Sequence, residues 1–95
     1  MHFEWDEEKE RANIAKHGLD FRAAARVFDD PNFVLIQDRI DEETGEQRWH
    51  ALGLAGVAPL LIVVHVYRED KHGEEIIRII SARKADKREG RRYFQ

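Results

Sequence analysis

The sequence predicts an α+β domain in the order ααββββα: two helices, a four-stranded antiparallel meander sheet and a C-terminal helix. Three observations support this prediction. Residues 1–30 contain helix-capping aspartates and apolar residues at helical spacing. The apolar pattern then changes to the two-residue period that is typical of strands. The segments between the predicted strands are short enough for hairpins, so neighbouring strands should run in opposite directions.

Two helices are predicted at the start of the chain and one at its end. Asp6 precedes an acidic segment and is suited to cap a helix over residues 7–17. Asp20 is suited to cap the second helix, where apolar residues recur on one face at Phe21, Ala24, Ala25 and Phe28. The last helix is predicted to begin near Arg83 or Lys84 and to end the chain.

Four strands are predicted between the second and third helices, over residues 33–40, 46–52, 60–68 and 75–81. The segments that separate them are polar or rich in glycine, as turns are. The third and fourth predicted strands are apolar on both faces. This pattern predicts that these two strands occupy the middle of the sheet.

Composition excludes several classes of protein. The chain has 95 residues, enough for one small core, so we expect a single domain over residues 1–95. It has no cysteine, which excludes disulfides and thiolate metal sites and fits a cytoplasmic protein. Its longest apolar run, residues 58–64, is too short to span a membrane. The five histidines lack the spacing of a helical zinc motif, and we expect neither a metal nor a cofactor.

The formal net charge of −3 conceals an uneven distribution along the chain. Residues 1–77 hold 9 Lys/Arg and 17 Asp/Glu, whereas residues 78–95 hold 7 Lys/Arg and 2 Asp/Glu. A terminal segment of this composition can present cations to the phosphates of a nucleic acid. A solvated basic helix would have the same composition, and the sequence leaves both interpretations open.

Arginines recur at the predicted strands. Arg78 is flanked by isoleucines, and an unpaired arginine on a dry sheet face would be costly. Arg78 therefore needs either a carboxylate partner or an open cleft that receives an anion. Because guanidinium groups suit phosphate oxygens, converging arginines would form a site for a nucleic-acid backbone. The candidates are Arg48, Arg68, Arg78 and Arg83, followed on the last predicted helix by Lys84, Lys87, Arg88, Arg91 and Arg92.

Three side chains are candidates for proton transfer. His50 shares a predicted strand face with Arg48, and imidazole titrates near neutral pH. Glu89 and Tyr93 are four residues apart, on one side of the last predicted helix. Structural alternatives stay open for each: a surface histidine, a helical salt bridge for Glu89, and a core or interface position for Tyr93.

Several segments resemble the BrnT family of bacterial type II toxins, which are similar in fold to RelE-type ribonucleases. The resemblance begins at "WDEEKERANIAKHGLDF", continues through "GEQRWHALG" and closes with "RIISARKADKREGRRYF". It covers residues 5–93. Its most specific feature is the combination of Lys16-His17-Gly18 with the segment from Arg78 to Ala85.

The resemblance implies a RelE-like ribonuclease toxin that cleaves RNA and inhibits translation. It also implies neutralisation by a BrnA-type antitoxin with a ribbon-helix-helix DNA-binding part. The toxin would reach DNA only through this antitoxin, in a complex of two toxins and two antitoxins that represses its own promoter.

For this family we expect endonucleolytic cleavage without metal, through attack of the ribose 2′-hydroxyl on the adjacent phosphate. The expected catalytic residues are Arg48, His50, Arg78, Arg83, Glu89 and Tyr93. The expected RNA-binding residues are Arg68, Lys84 and Arg88. The alternative is a non-enzymatic partner-binding module of a DNA-bound regulatory complex, which would also require a basic surface.

Overall fold

The polypeptide forms a five-stranded mixed sheet with helices on both faces in the computed structural model, which describes residues 1–95. The elements are β1 (His2–Trp5), α1 (Glu7–His17), α2 (Phe21–Ala25), a 3-10 turn (Arg26–Asp29), β2 (Val34–Ile40), β3 (Gln47–Leu54), β4 (Leu60–Glu69), β5 (Glu75–Lys84) and α3 (Lys87–Tyr93). The strand order is β1-β5-β4-β3-β2. β1 is parallel to β5, and all other neighbours are antiparallel.

The predicted ααββββα fold with a four-stranded antiparallel sheet is wrong, because the chain begins with a strand. β1 has four residues, too few to produce a periodic signal, and it pairs with the other end of the chain: His2 with Ile76 and Trp5 with Ile79. The four predicted strands do form and pair consecutively. α3 begins only at Lys87, because β5 continues through Lys84.

Local signals account for the first two helices. The Asp6 carboxylate accepts a hydrogen bond from the Glu8 N–H at 2.8 Å, and Asp20 accepts one from the Ala23 N–H at 2.7 Å. Both contacts satisfy N–H groups that have no partner within the helix. Gly18 ends α1 in a left-handed conformation with φ 71°, which costs glycine little.

The main core lies between the sheet and the two N-terminal helices. Phe21, Ala24 and Val27 pack from the helical side against sheet residues that include Val63 and Ile77. Burial of these side chains is the main apolar contribution to stability.

A buried asparagine ties α1 to the sheet within this layer. The Asn13 side chain donates to the Leu19 and Ala82 carbonyls and accepts from the Ala82 N–H, all at 2.9 to 3.0 Å. These contacts set the position of α1 beside β5.

The opposite face of the sheet is only partly covered. A smaller cluster of Leu52, Ile62 and Val64 lies there, and Tyr93 of α3 packs against it. α3 covers one end of this face and leaves the other end open, where the polar side chains of the inner strands lie. No helix is long and apolar enough to cross a membrane.

Candidate active site

Charged side chains of both signs project from the open sheet face. Arg78 pairs in register with Glu4 on one side and with Val66 on the other, and His50 pairs with Val64. Because alternate residues of a strand share a face, these rows place several predicted site residues on one surface. We call this surface the polar face; it carries Glu4, Asp38, Arg48, His50, Arg68, Arg78 and Arg83.

Three of the four predicted phosphate-binding arginines meet in one depression of the polar face. This depression, the arginine cleft, has a volume of about 220 Å³ and is lined by Arg48, Arg68 and Arg78. Lys9 of α1 and the apolar side chains of Val66 and Ile80 also line it. Arg83 is not among its lining residues.

Two of these arginines form close ion pairs with carboxylates. Arg78 Nη1 donates to Glu4 Oε2 at 2.8 Å, so of the two possibilities left open by the sequence, Arg78 has a carboxylate partner. Arg68 donates twice to Glu46, at 2.8 Å each, and approaches Glu4 at 3.4 Å. The hydrogen bonds from Arg68 hold the pKa of Glu46 below its ordinary value.

The formal charge of the arginine cleft is therefore balanced. Its four cationic lining residues face three lining carboxylates, and Glu4 reaches in from β1 as a fourth. A phosphate group that bound to Arg68 or Arg78 would have to displace a carboxylate.

Arg48 is the least committed of the three arginines. Its Nε is 3.6 Å from Asp38 Oδ2, and its Nη1 is 3.8 Å from Asp41 Oδ2. The Nε atom is buried and has no hydrogen-bond partner. This buried N–H is out of reach of a ligand, but the two Nη atoms also make no hydrogen bond in the protein and are not buried, so they are available to an incoming acceptor.

His50 lies next to Arg48 and contacts the same carboxylate. Its Nε2 is 3.1 Å from Asp38 Oδ2, and its side chain is 26% exposed. Burial acts to raise the pKa of Asp38, but the Arg39 backbone N–H and the neighbouring His50 lower it below its ordinary value. Asp38 is therefore ionised at neutral pH, where it can only accept hydrogen bonds.

Arg83 and Glu89 form a separate pair where β5 meets α3. Two guanidinium N–H groups donate to the two Glu89 oxygens at 2.8 Å each. The hydrogen bond from Arg83 lowers the pKa of Glu89 to about 2, burial opposes this, and nearby His50 contributes to the lowering. Glu89 thus lies in the electrostatic range of His50, but it holds no proton to donate at neutral pH.

Tyr93 lies on α3, like Glu89, and contacts the segment between the 3-10 turn and β2. Its hydroxyl donates to Asp30 Oδ2, and this hydrogen bond raises the pKa of Tyr93. Asp30 also accepts from the Leu54 N–H at 2.8 Å. Tyr93 therefore anchors α3 to the segment that precedes β2.

The end of β5 and the helix α3 carry basic side chains that have no carboxylate partner. Five basic side chains there are exposed, and none lies within 4.0 Å of a carboxylate. They are Lys84, Lys87, Arg88, Arg91 and Arg92, and we call them the basic α3 surface. Two of the three predicted RNA-binding residues lie here, whereas Arg68 lies in the arginine cleft.

A family model described as "Ribonuclease toxin, BrnT, of type II toxin-antitoxin system" matches residues 5–89. The chain belongs to the BrnT family. The predicted resemblance is confirmed, and with it the class: a ribonuclease toxin whose type II system implies an antitoxin partner. No similar protein was found among curated sequences.

The lysine-histidine-glycine motif that marks the BrnT family resemblance lies at the end of α1. Gly18 terminates the helix, and Lys16 and His17 line a shallow groove together with Lys9 and Ser81. Lys9 also lines the arginine cleft, so the two depressions are adjacent. No group of three or more His, Asp or Glu side chains is arranged to hold a metal ion.

Sequence reasoning missed the carboxylates of the polar face. Asp38 could have been found, because the hairpin pairing of Ile36 with His50 places it near Arg48. Glu46 shares a predicted strand face with Arg48 and gave a similar signal. Glu4 gave none, because only the long-range pairing of β1 brings it to Arg78.

Proposed function

We propose that this BrnT family member is a metal-independent endoribonuclease. The ribose 2′-oxygen attacks the adjacent phosphorus, the bond to the 5′-oxygen breaks, and the products carry a 2′,3′-cyclic phosphate and a 5′-hydroxyl. One group must take the 2′-hydroxyl proton, another must protonate the leaving oxygen, and cations must stabilise the charge on the phosphate.

The observation that carries this proposal is the placement of His50 beside Arg48. His50 contacts the ionised Asp38 carboxylate through Nε2, and a neutral imidazole can accept a proton at its other ring nitrogen. The Nη groups of Arg48 lie in the same place without a hydrogen-bond partner and are suited to a phosphate oxygen. We assign His50 as the general base and Arg48 as the cation nearest to the reacting phosphate.

The remaining predicted catalytic residues take supporting roles. Arg83 is a second candidate cation, held by Glu89, which acts as its orienting partner. Tyr93, one of the three predicted proton-transfer candidates, donates its hydroxyl proton to Asp30 and would have to exchange this partner to protonate the leaving oxygen. Arg78 and Arg68 would contact neighbouring phosphates by exchanging their carboxylate partners. Lys84 and Arg88 would hold the flanking RNA.

RNA cleavage in EDTA tests the proposal. Protein freed of any antitoxin should cut RNA in excess EDTA, and ³¹P NMR of the products should show the cyclic phosphate. A folded His50→Ala variant should be at least about 100-fold slower. Intact RNA, an absolute requirement for Mg²⁺, or 5′-phosphate ends would each overturn the proposed chemistry.

We further propose that the antitoxin is a BrnA-type ribbon-helix-helix protein, that two copies of each chain associate, and that the toxin contacts DNA only through it. The family supports an antitoxin, and RNA cleavage would account for inhibited translation. Native mass spectrometry of the co-expressed pair should give the mass of the two-plus-two complex. A different stoichiometry would contradict it.

One observation favours a second candidate, a non-enzymatic partner-binding module. The charge-balanced arginine cleft is poorly suited to attract phosphate, whereas the basic α3 surface could bind an acidic protein segment. The two candidates differ in chemistry. Folded protein at high concentration that binds a partner but leaves RNA intact would favour the second.

A further inference from the structure

We propose that Asp38 is a positioning residue that fixes the tautomer of His50, so that Nδ1 is the atom that takes the 2′-hydroxyl proton. This inference deepens the proposed ribonuclease function and rests on it. It assigns a role to a carboxylate and specifies the reacting nitrogen of the base.

The hydrogen-bond pattern determines the tautomer. The ionised Asp38 carboxylate has no proton to offer, so the 3.1 Å contact requires that His50 Nε2 carries the hydrogen. In a neutral imidazole the other nitrogen then carries the lone pair. Nδ1 has no hydrogen-bond partner in the protein, so it is free to accept a proton from a ligand.

The backbone holds Asp38 in place. The pairing of β2 with β3 shifts register between Gln37 and Ile40, which marks a bulge at Asp38. The side chain of Gln47 donates to the Asp38 carbonyl oxygen, and Gln37 in turn donates to the Gln47 side-chain oxygen at 3.1 Å. Bulges redirect side chains next to functional sites, and this one is fixed by two amide side chains.

Other charged groups near His50 cannot replace Asp38. Arg48, on the same strand, shares Asp38 Oδ2 at 3.6 Å and helps to keep it ionised. Glu89, from α3, uses both oxygens on Arg83. His65, from β4, is fully buried in the other layer. Asp38 is the carboxylate in hydrogen-bond contact with the ring, where it would also stabilise the imidazolium that forms during attack.

Steady-state cleavage of a short RNA tests this role. Asp38→Asn should lower kcat at least about tenfold with little change in KM, because orientation and imidazolium stabilisation are lost while RNA contacts remain. The ¹⁵N shifts of the neutral His50 ring should then show a mixture of the two tautomers, because an amide can donate as well as accept a hydrogen bond. Asp38→Glu should restore part of kcat.

Asp41→Asn is the matched control for these measurements. It also removes a carboxylate beside Arg48, at 3.8 Å, but Asp41 does not contact His50. The ¹⁵N shifts of the His50 ring should therefore keep their wild-type pattern in this variant. The same change of tautomer in Asp38→Asn and Asp41→Asn would overturn the inference, because it would indicate a general charge effect and not the contact between Asp38 and His50.

A double-mutant cycle separates positioning from folding. If Asp38 acts through His50, Asp38→Asn should change cleavage by less than about twofold in the His50→Ala background. An undiminished loss in that background would overturn the inference, while the proposed function would stand.

¹⁵N NMR of the His50 ring gives a readout that does not require cleavage. At a pH high enough for the ring to be neutral, the nitrogen shifts should show hydrogen on Nε2 and a lone pair on Nδ1. Hydrogen on Nδ1 would overturn the inference. If wild-type protein left RNA intact, the proposed function would fail, and with it the catalytic role of Asp38.

Discussion

Arg83 and Glu89 form a bidentate ion pair, with both guanidinium–carboxylate distances at 2.8 Å. The pair joins the end of β5 to the first turn of α3. Glu89 also forms a capping box with Asp86 at the start of α3, in which its carboxylate accepts a hydrogen bond from the Asp86 backbone N–H at 2.9 Å. The attachment of the first turn of α3 to β5 therefore depends on the charge of Glu89, whereas Tyr93 anchors the other end of the helix.

Replacing Glu89 with glutamine should lower stability in a pH-dependent way. The pKa of Glu89 is about 2 in the fold, against an ordinary 4.5, so its contribution is full above about pH 4.5 and disappears as the pH falls towards 2. Glutamine preserves the capping box. Because Arg83 is 41% exposed and screened by solvent, we expect a loss of only about 1–2 kcal/mol at neutral pH.

Urea unfolding of wild type and Glu89→Gln, at neutral pH and near the acid limit of folding, measures this difference. The two proteins should converge in acid. A difference that is independent of pH would show that the ion pair is not its origin.

His65 should make the fold sensitive to mild acid. Its ring is fully buried and packs edge-on against Phe28 and Tyr67. Burial lowers its pKa from 6.5 to about 4, so the unfolded chain binds a proton in this interval and the folded chain does not. As the pH falls from about 6.5 to 4, this group should therefore remove up to about 3 kcal/mol of stability.

His65→Phe tests this expectation. Phenylalanine cannot be protonated, and it removes a buried Nε2 that has no partner. The unfolding free energy of the variant should depend less on pH between 6.5 and 4 than that of wild type. Parallel pH profiles for the two proteins would argue against a neutral buried His65.

Asn13→Ala should destabilise the protein strongly. The substitution leaves the Ala82 N–H and the Leu19 and Ala82 carbonyls without their side-chain partner, and two of these three contacts are buried. Buried unsatisfied groups cost about 1–3 kcal/mol each, and we expect a total loss of about 2–4 kcal/mol. Asn32→Ala, at an exposed position, is the control and should have little effect in thermal or urea unfolding.

The helices and four of the strands were predictable because their signals are local. Asp6 and Asp20 cap their helices within three residues, and the strands from β2 to β5 follow one another through hairpins. β1 was not predictable, because four residues contain no period and their pairing with Ile76 to Ile79 is non-local. The extension of β5 to Lys84 likewise depends on pairing with Leu61.

The candidate site was predictable only in part. Strand alternation brings Arg48, Arg68 and Arg78 together, as expected from their sequence positions. Strand alternation does not reveal that carboxylates pair with these arginines, because the carboxylates come from other strands: Glu4 from β1 and Asp38 from β2. Residue type and spacing along one strand identify cations, whereas their charge state depends on neighbours that only the fold supplies.

The arginines of the cleft are paired with carboxylates, whereas the residues of the basic α3 surface are not. We therefore expect the basic α3 surface to supply electrostatic attraction for RNA. Each phosphate contact releases counterions, so the slope of log affinity against log salt counts the cations engaged, at about 0.7 per contact for a single strand. The double variant with Lys84→Gln and Arg88→Gln should reduce this slope by about one or more, measured with 2′-O-methyl RNA that resists cleavage.

Arg22→Gln is the matched control for this experiment. Arg22 is also an exposed arginine on a helix, but α2 lies on the other side of the sheet from the polar face. Its removal changes the net charge without touching the proposed RNA path, so the slope should stay at the wild-type value. Arg22→Gln removes one positive charge and the double variant removes two, so a reduction half as large in Arg22→Gln would mean that RNA responds to net charge alone. An unchanged slope in the double variant would remove the basic α3 surface from the RNA path.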